Sequence, residues 1–400
     1  MTDPRRVAKV SIAGLSASGL SFIVFVAAGR GLEADHFADF GAVWGLFFGA
    51  AAVLSAIELE ASRQAAEGEE LADLAGATLV LSALALILGS ALTPAIQPML
   101  SLHRPAIVWV VIVGLSAFPL FFFGRGVLAG TDRLESYAVL SLAEGALRSM
   151  ALLIPIGAVI GYVVAMVAGP AVVIPLLVIR LPWPFSRLRW APIRRQLMRL
   201  VPLFSGNVAG ALLITGLPAT ATVALGDADE VGLAIAVALS MVSRFPLVLL
   251  QSVYGLLVPW FLKRTPPSAV RSKPLMAILL SPLVLLIGAL VTFIGARVVV
   301  GVSPRLNLPI AGVYFFGAFL LGALQIATAR LVSLQLRSVV QAMWWSAALL
   351  AIGAMVISRF VEFDTVRALG IAQLVGPAAG LAVFIARIKS TRAGGLHADA

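Results

Sequence analysis

Few residues in this 400-residue chain are equipped for chemistry. Cysteine is absent, which excludes thiol nucleophiles, disulfide frameworks and zinc sites built on thiolates. The three histidines, His36, His103 and His397, stand far apart, without the His-Glu-x-x-His spacing of a hydrolytic metal centre. No metal and no cofactor is therefore expected. What remains is charge set inside apolar sequence, and the chemistry it offers is ion pairing and anion binding. Ionisable side chains at membrane depth are costly and usually face a cavity or a partner.

Four such groups stand out. Glu144 and Arg148 are four residues apart with the acid first, the favourable order for an ion pair on one helix face. Counted from Glu135 at about 1.5 Å per residue, they lie roughly 14 and 20 Å into an apolar stretch. Either the pair neutralises itself, or Glu144 orients an Arg148 that binds phosphate. Arg244 lies roughly 21 Å beyond Glu230 and has no acid within a helical turn. Pro246 follows and removes a helical hydrogen bond, so a kink is expected there. An arginine beside a kink reads as a cation facing a ligand or paired with a carboxylate from another helix, Glu144 included. Glu58, Glu60 and Arg63 lie about 28 Å or more past Asp39 and form either a solvated helix end or a gate at the inner mouth of a cavity. Arg125 is placed in the same way. Arg30, Asn207 and Gln251 complete the candidate substrate-binding set.

The elements that carry these residues are membrane spans. The chain is 60% hydrophobic and 12% charged, against about 25% charged in soluble domains. A helix needs about 20 apolar residues to cross the hydrocarbon. About twelve stretches qualify, near 8–29, 40–61, 71–93, 106–128, 136–156, 160–180, 200–225, 231–261, 274–296, 308–332, 338–358 and 366–387. The first reads as a retained span rather than a cleaved signal. With both termini cytoplasmic, the connections on the inner side hold 21 of the 29 basic residues, the outer connections 6 and the spans 2. The net charge of +10 is thus an orientation signal, not a nucleic-acid signal.

Six spans precede and six follow the basic segment 180–199, "RLPWPFSRLRWAPIRRQLMR", which suits the inner leaflet either as a topology anchor or in contact with anionic headgroups. The expected domains are a six-helix lobe at 1–180, a cytoplasmic linker at 181–199, a second six-helix lobe at 200–390 and a tail at 391–400. The halves show a faint repeat: aligning Gly41 with Gly232 sets Glu60 opposite Gln251. Gly-xxx-Gly spacings at Gly126/Gly130 and Gly206/Gly210 are of the kind chance supplies, while Gly41, Gly45 and Gly49 form one ridge and are the better candidate for close helix contact.

Four passages resemble the polysaccharide-exporter (Wzx-like flippase) branch of the multidrug/oligosaccharidyl-lipid/polysaccharide (MOP) flippase superfamily. They are "AGRGLEADHFADFGAVWGLFF" (28–48), "ELEASR" (58–63), "GRGVLAGTDRLESYAVLSLAEGALR" (124–148) and "VGLAIAVALSMVSRFPLVLLQSVYGLLVPWF" (231–261), with an arginine before the proline at Arg244. The resemblance implies an all-α, MOP/MATE-like polytopic membrane protein with two six-helix lobes around a central cavity. It further implies export of a polyprenyl-pyrophosphate-linked oligosaccharide to the outer leaflet of a bacterial cytoplasmic membrane by alternating access. Implied partners are the lipid-linked saccharide, membrane lipids, and glycosyltransferases or a polymerase of the same pathway. Arg244 matches an arginine of related peptidoglycan-precursor flippases, which usually have two further C-terminal helices that this chain is not expected to accommodate. Drug/cation antiporters of the superfamily often use an acid in helix one, and residues 8–28 contain none. Such an antiporter remains the alternative, followed by a membrane-embedded glycan-assembly enzyme or scaffold.

Overall fold

The computed structural model describes residues 4–32, 34–99, 105–153, 158–180, 190–216, 230–263, 282–300 and 303–393. Within them the regular structure is helical throughout, as the apolar stretches require: in lipid, a helix satisfies its backbone polar groups internally. The helices are α1 (Pro4–Gly31), α2 (Ala34–Leu54), α3 (Ala56–Glu67), α4 (Ala72–Met99), α5 (Pro105–Gly130), α6 (Leu134–Ala151), α7 (Ala158–Arg180) and α8 (Trp190–Ala211), which runs into a π-helical turn (Leu212–Gly216). They continue with α9 (Glu230–Ser243), α10 (Phe245–Lys263), α11 (Pro282–Val300), α12 (Leu308–Ser333), α13 (Arg337–Phe360) and α14 (Thr365–Ala393). Each of the apolar stretches falls at least in part on a helix, and the weakest boundary, near Gly157, separates α6 from α7. Among the described residues, seven segments are long and apolar enough to cross a membrane, and Ile160–Ala171 and Val284–Val298 are shorter apolar helices.

Two of the long stretches are broken. The second divides at Ser55, whose hydroxyl donates to the carbonyl of Ala52 at 2.7 Å. The eighth divides at Arg244, two residues before Pro246, in the region where the sequence predicts a kink. On the Gly41/Gly232 alignment these breaks fall two residues apart.

The chain forms two compact units, one of residues 1–204 with 251–262 and the other of residues 205–250 with 263–400. In the first, α5 packs against α3, α4 and α7, and α6 packs against α1 and α7. In the second, α14 packs against α12 and α13, and α9 against α11. A close helix seam in the first unit lies at Gly126 and Gly130; of the ridge favoured on sequence, Gly45 is the member whose surroundings are described. A Cβ added at Gly45 meets nothing within 4 Å. One at Gly126 would stand 2.7 Å from the Ala61 Cβ, and one at Gly130 would stand 2.5 Å from the Ser62 carbonyl oxygen. Gly126 and Gly130 therefore let α3 lie directly on the backbone of α5, the contact small-xxx-small spacing permits. Spacing alone does not show which glycines face a neighbour.

Candidate functional site

The polar residues of the first unit converge on α3. This helix is on balance polar, "AIELEASRQAAE", and a polar helix ordinarily lies at the surface. Here the nine residues from Ala56 to Gln64 are all buried. Glu58, Glu60 and Arg63 are at most 2% exposed, so they do not form the solvated helix end that was one expectation. Arg125 is likewise enclosed, with 12% of its side chain exposed.

Burial of this much charge requires partners. Glu58 Oε1 accepts a hydrogen bond from the Tyr137 hydroxyl at 2.9 Å and lies 3.3 Å from Arg125 Nη2. The Arg125 guanidinium also donates to the Tyr137 hydroxyl and lies against the Phe121 and Tyr137 rings, 5.5 and 4.9 Å from their centroids. Elements α3, α5 and α6 thus each supply one member of a triad. On its other side Glu58 meets α10: a Cβ at Gly255 would stand 3.0 Å from the Glu58 Cδ. The Ser62 hydroxyl donates to the Gly255 carbonyl at 2.7 Å, so glycine is required for α3 and α10 to touch here.

One turn on, Arg63 is bracketed by acids. It pairs with Glu60 at 2.9 Å, with Glu69 at 2.8 and 3.0 Å, and with Glu67. The hydrogen bonds from Arg63 hold the Glu69 carboxyl below the usual carboxylate range. Gln64 donates to Glu60 at 2.9 Å and to Gln196 of α8 at 3.2 Å. Four carboxylates and two guanidiniums therefore tie α3 to α5, α6 and the turn after it, while Ser62 and Gln64 tie it to α10 and α8.

Glu144 and Arg148 pair on α6, as their spacing predicts. Arg148 Nε also donates to the Met166 carbonyl at 2.9 Å, and its guanidinium lies 5.2 Å from the Phe48 ring centroid. Its charge is thus matched within its own unit.

Arg244 is different. It sits in the break between α9 and α10 and donates to two carbonyls of the π-helical turn, that of Leu213 at 3.1 Å and that of Ile214. Among the described residues no carboxylate pairs with it, and its buried Nε has no hydrogen-bond partner. Elsewhere in the second unit, Ser240 donates to Gln373 Oε1 at 3.1 Å, and Gln373 donates to the Tyr314 carbonyl at 3.3 Å.

Of the remaining candidates, Arg30 is exposed at the end of α1 and Asn207 is half-buried in α8. Gln251 lies in α10, and its side chain is outside the described residues. The structure therefore joins Glu58 to Arg125 and Glu60 to Arg63, and keeps Glu144 with Arg148. Sequence reasoning missed Tyr137, Gln64, Gln196, Gly255, Glu67 and Glu69. Only Glu67 carried a signal, its position four residues after Arg63.

No protein-family model matches the chain, and neither does any curated protein sequence. Solved structures do. One, described as the outward-facing conformation of a multidrug resistance MATE family transporter of the MOP superfamily, is 15% identical, with 98% of this chain and 96% of that one covered and a TM-score of 0.69. A MATE structure in the bent conformation is 16% identical, covering 97% and 96%, with a TM-score of 0.71. A MOP superfamily transporter from Pyrococcus furiosus, described as having a binding pocket of reverse polarity that suggests a different function, is 14% identical, covering 97% and 96%, with a TM-score of 0.68. Along essentially its whole length, the chain has the all-α polytopic fold of MATE transporters of the MOP superfamily.

Proposed function

We propose that the chain is an alternating-access flippase that moves a polyprenyl-pyrophosphate-linked oligosaccharide from the inner to the outer leaflet of a bacterial cytoplasmic membrane. The observation that carries this reading is Arg244, a half-buried cation in a helix break whose partners among the described residues are carbonyl dipoles rather than an acid. A guanidinium held this way keeps its full charge for an anionic ligand, and its planar fork matches a phosphate. Arg148 and Arg125 add positive charge in the first unit, each moderated by its glutamate. Membrane voltage favours the outward direction. Two negative charges crossing the full field of an inside-negative 100 mV membrane gain about 4.6 kcal/mol. The buried α3 network acts as the inner gate, with Glu58, Glu60 and Arg63 at its centre. Both termini are cytoplasmic in this reading, and the product passes to enzymes of glycan assembly.

The test is translocation of a labelled lipid-linked sugar in vesicles. Arg244→Ala inserts and folds but fails to translocate, and Arg244→Lys retains part of the rate. Undiminished transport by Arg244→Ala overturns the reading. A second reading, a cation-coupled antiporter of drugs or metabolites, draws support from the multidrug resistance transporter among the structural neighbours. It predicts that a proton or sodium gradient drives exchange of a soluble cation, and that Arg244→Ala leaves this exchange intact.

A further inference from the structure

The first four turns of α8 have two unlike sides. At 100° per residue, Ile193, Gln196, Leu200 and Leu203 fall within one narrow sector, and all are buried. The other side carries Arg194, Arg195 and Arg199, all exposed, interleaved with Trp190 and Met198, each 63% exposed. Among the described residues no carboxylate pairs with these arginines. The span that begins at Trp190 runs 25 residues to Ile214. At about 1.5 Å per residue it is longer than the roughly 30 Å hydrocarbon core by several ångströms. Its first turns therefore stand at headgroup level, where tryptophan settles and arginine snorkels.

We propose that this face of α8 is a binding site for anionic phospholipid headgroups and that occupancy steadies α3. Three unpaired guanidiniums on one side of a helix at headgroup depth complement lipid phosphates that carry net charge, while Trp190 and Met198 lie along the upper acyl chains. The reverse side of the same turns bears Gln196, which accepts a hydrogen bond from Gln64 of α3 at 3.2 Å. A lipid that fixes the orientation of α8 thus fixes the acceptor for α3. The binding limb is independent of the transported substrate; the effect on α3 gains functional meaning from the gate reading above.

The experiment uses the full chain in neutral detergent, with phosphatidylglycerol and phosphatidylcholine of equal acyl length as probes and binding read by native mass spectrometry. The expected result is a clear preference for phosphatidylglycerol. Each arginine at the surface is worth about fivefold, so R194Q/R195Q/R199Q lowers that preference on the order of a hundredfold. R387Q, a change at an exposed arginine of α14, leaves the preference within about twofold of the wild type. Because the three side chains are exposed, the triple variant folds, and each single variant serves as a check. The second arm places one thiol at Ser62→Cys in this cysteine-free chain, which leaves Gln64 and its bond to Gln196 in place, and times its maleimide labelling. Phosphatidylglycerol slows labelling severalfold, and does so no longer when the three arginines are also replaced. An unchanged lipid preference in the triple variant, an equal loss in R387Q, displacement of the lipid by millimolar inorganic phosphate, or labelling indifferent to phosphatidylglycerol overturns the proposal.

Discussion

Two arginines, one buried and one half-buried, show how differently one side chain is used. Arg63 is enclosed by Glu60, Glu67 and Glu69, so its charge is more than matched and is spent on holding α3 in place. Arg244 is held by two backbone carbonyls and keeps its charge. Withdrawal from solvent alone does not assign the role of an intramembrane cation. The nature of the acceptors decides it: carboxylates make a fastening, whereas carbonyls position a cation and leave it attractive to an anion.

The sharpest way to break this comparison is to replace each arginine with methionine. Arg63→Met leaves the buried Glu60 carboxylate without its counter-charge and costs about 3–5 kcal/mol, read as a lowered midpoint of thermal unfolding in detergent. Arg244→Met leaves two carbonyls short of a donor and costs about 1–3 kcal/mol, while translocation is lost. Similar stability losses in the two variants would remove the distinction. Gly255→Ala comes next. The new methyl must displace the Glu58 carboxylate or push α10 off α3, an overpacking cost of about 1–3 kcal/mol, with the Ser62 contact weakened as well. A thiol at Ser62→Cys then labels faster than in the parent.

The pH dependence of the Arg63 bracket is a finer test. Arg63 holds the Glu69 carboxyl below its ordinary value, so this contact contributes stability above that value. The contribution vanishes as pH falls through the lowered folded value. Unfolding followed from pH 6 to pH 3 steepens in the wild type relative to Glu69→Gln, and superimposable curves would count against the bracket. The smallest effect is expected at Arg30, which is exposed at the end of α1: Arg30→Gln shifts stability by less than about 0.5 kcal/mol.

Much of the fold is legible in the sequence because lipid imposes a simple demand. Long apolar runs must become helices, and each of them contributes to one. The break at Arg244 is legible because Pro246 lacks a donor, and the Glu144–Arg148 pair because four residues make a helical turn. The burial of α3 is not legible. Counting depth from Asp39 brings Glu58 out at the membrane face, but α5, and α10 at Gly255, pack over the residues beyond Ser55. Tyr137 and Gln196 reach the network from distant positions in the sequence, and the carbonyl acceptors of Arg244 belong to a backbone turn that has no side-chain signature. Contacts of these kinds are products of tertiary packing, and periodicity does not encode them.

The enclosure of α3 also sets its tolerance to change. A helix with one solvent face can absorb an insertion by turning, because some of its circumference is idle. Between Ala56 and Gln64 there is no idle side. One inserted residue rotates everything beyond it by about 100°. Arg63 would then leave its acids, Ser62 would leave Gly255, and the strip resting on Gly126 and Gly130 would be exchanged for bulkier side chains. Length, more than composition, is what this segment cannot vary.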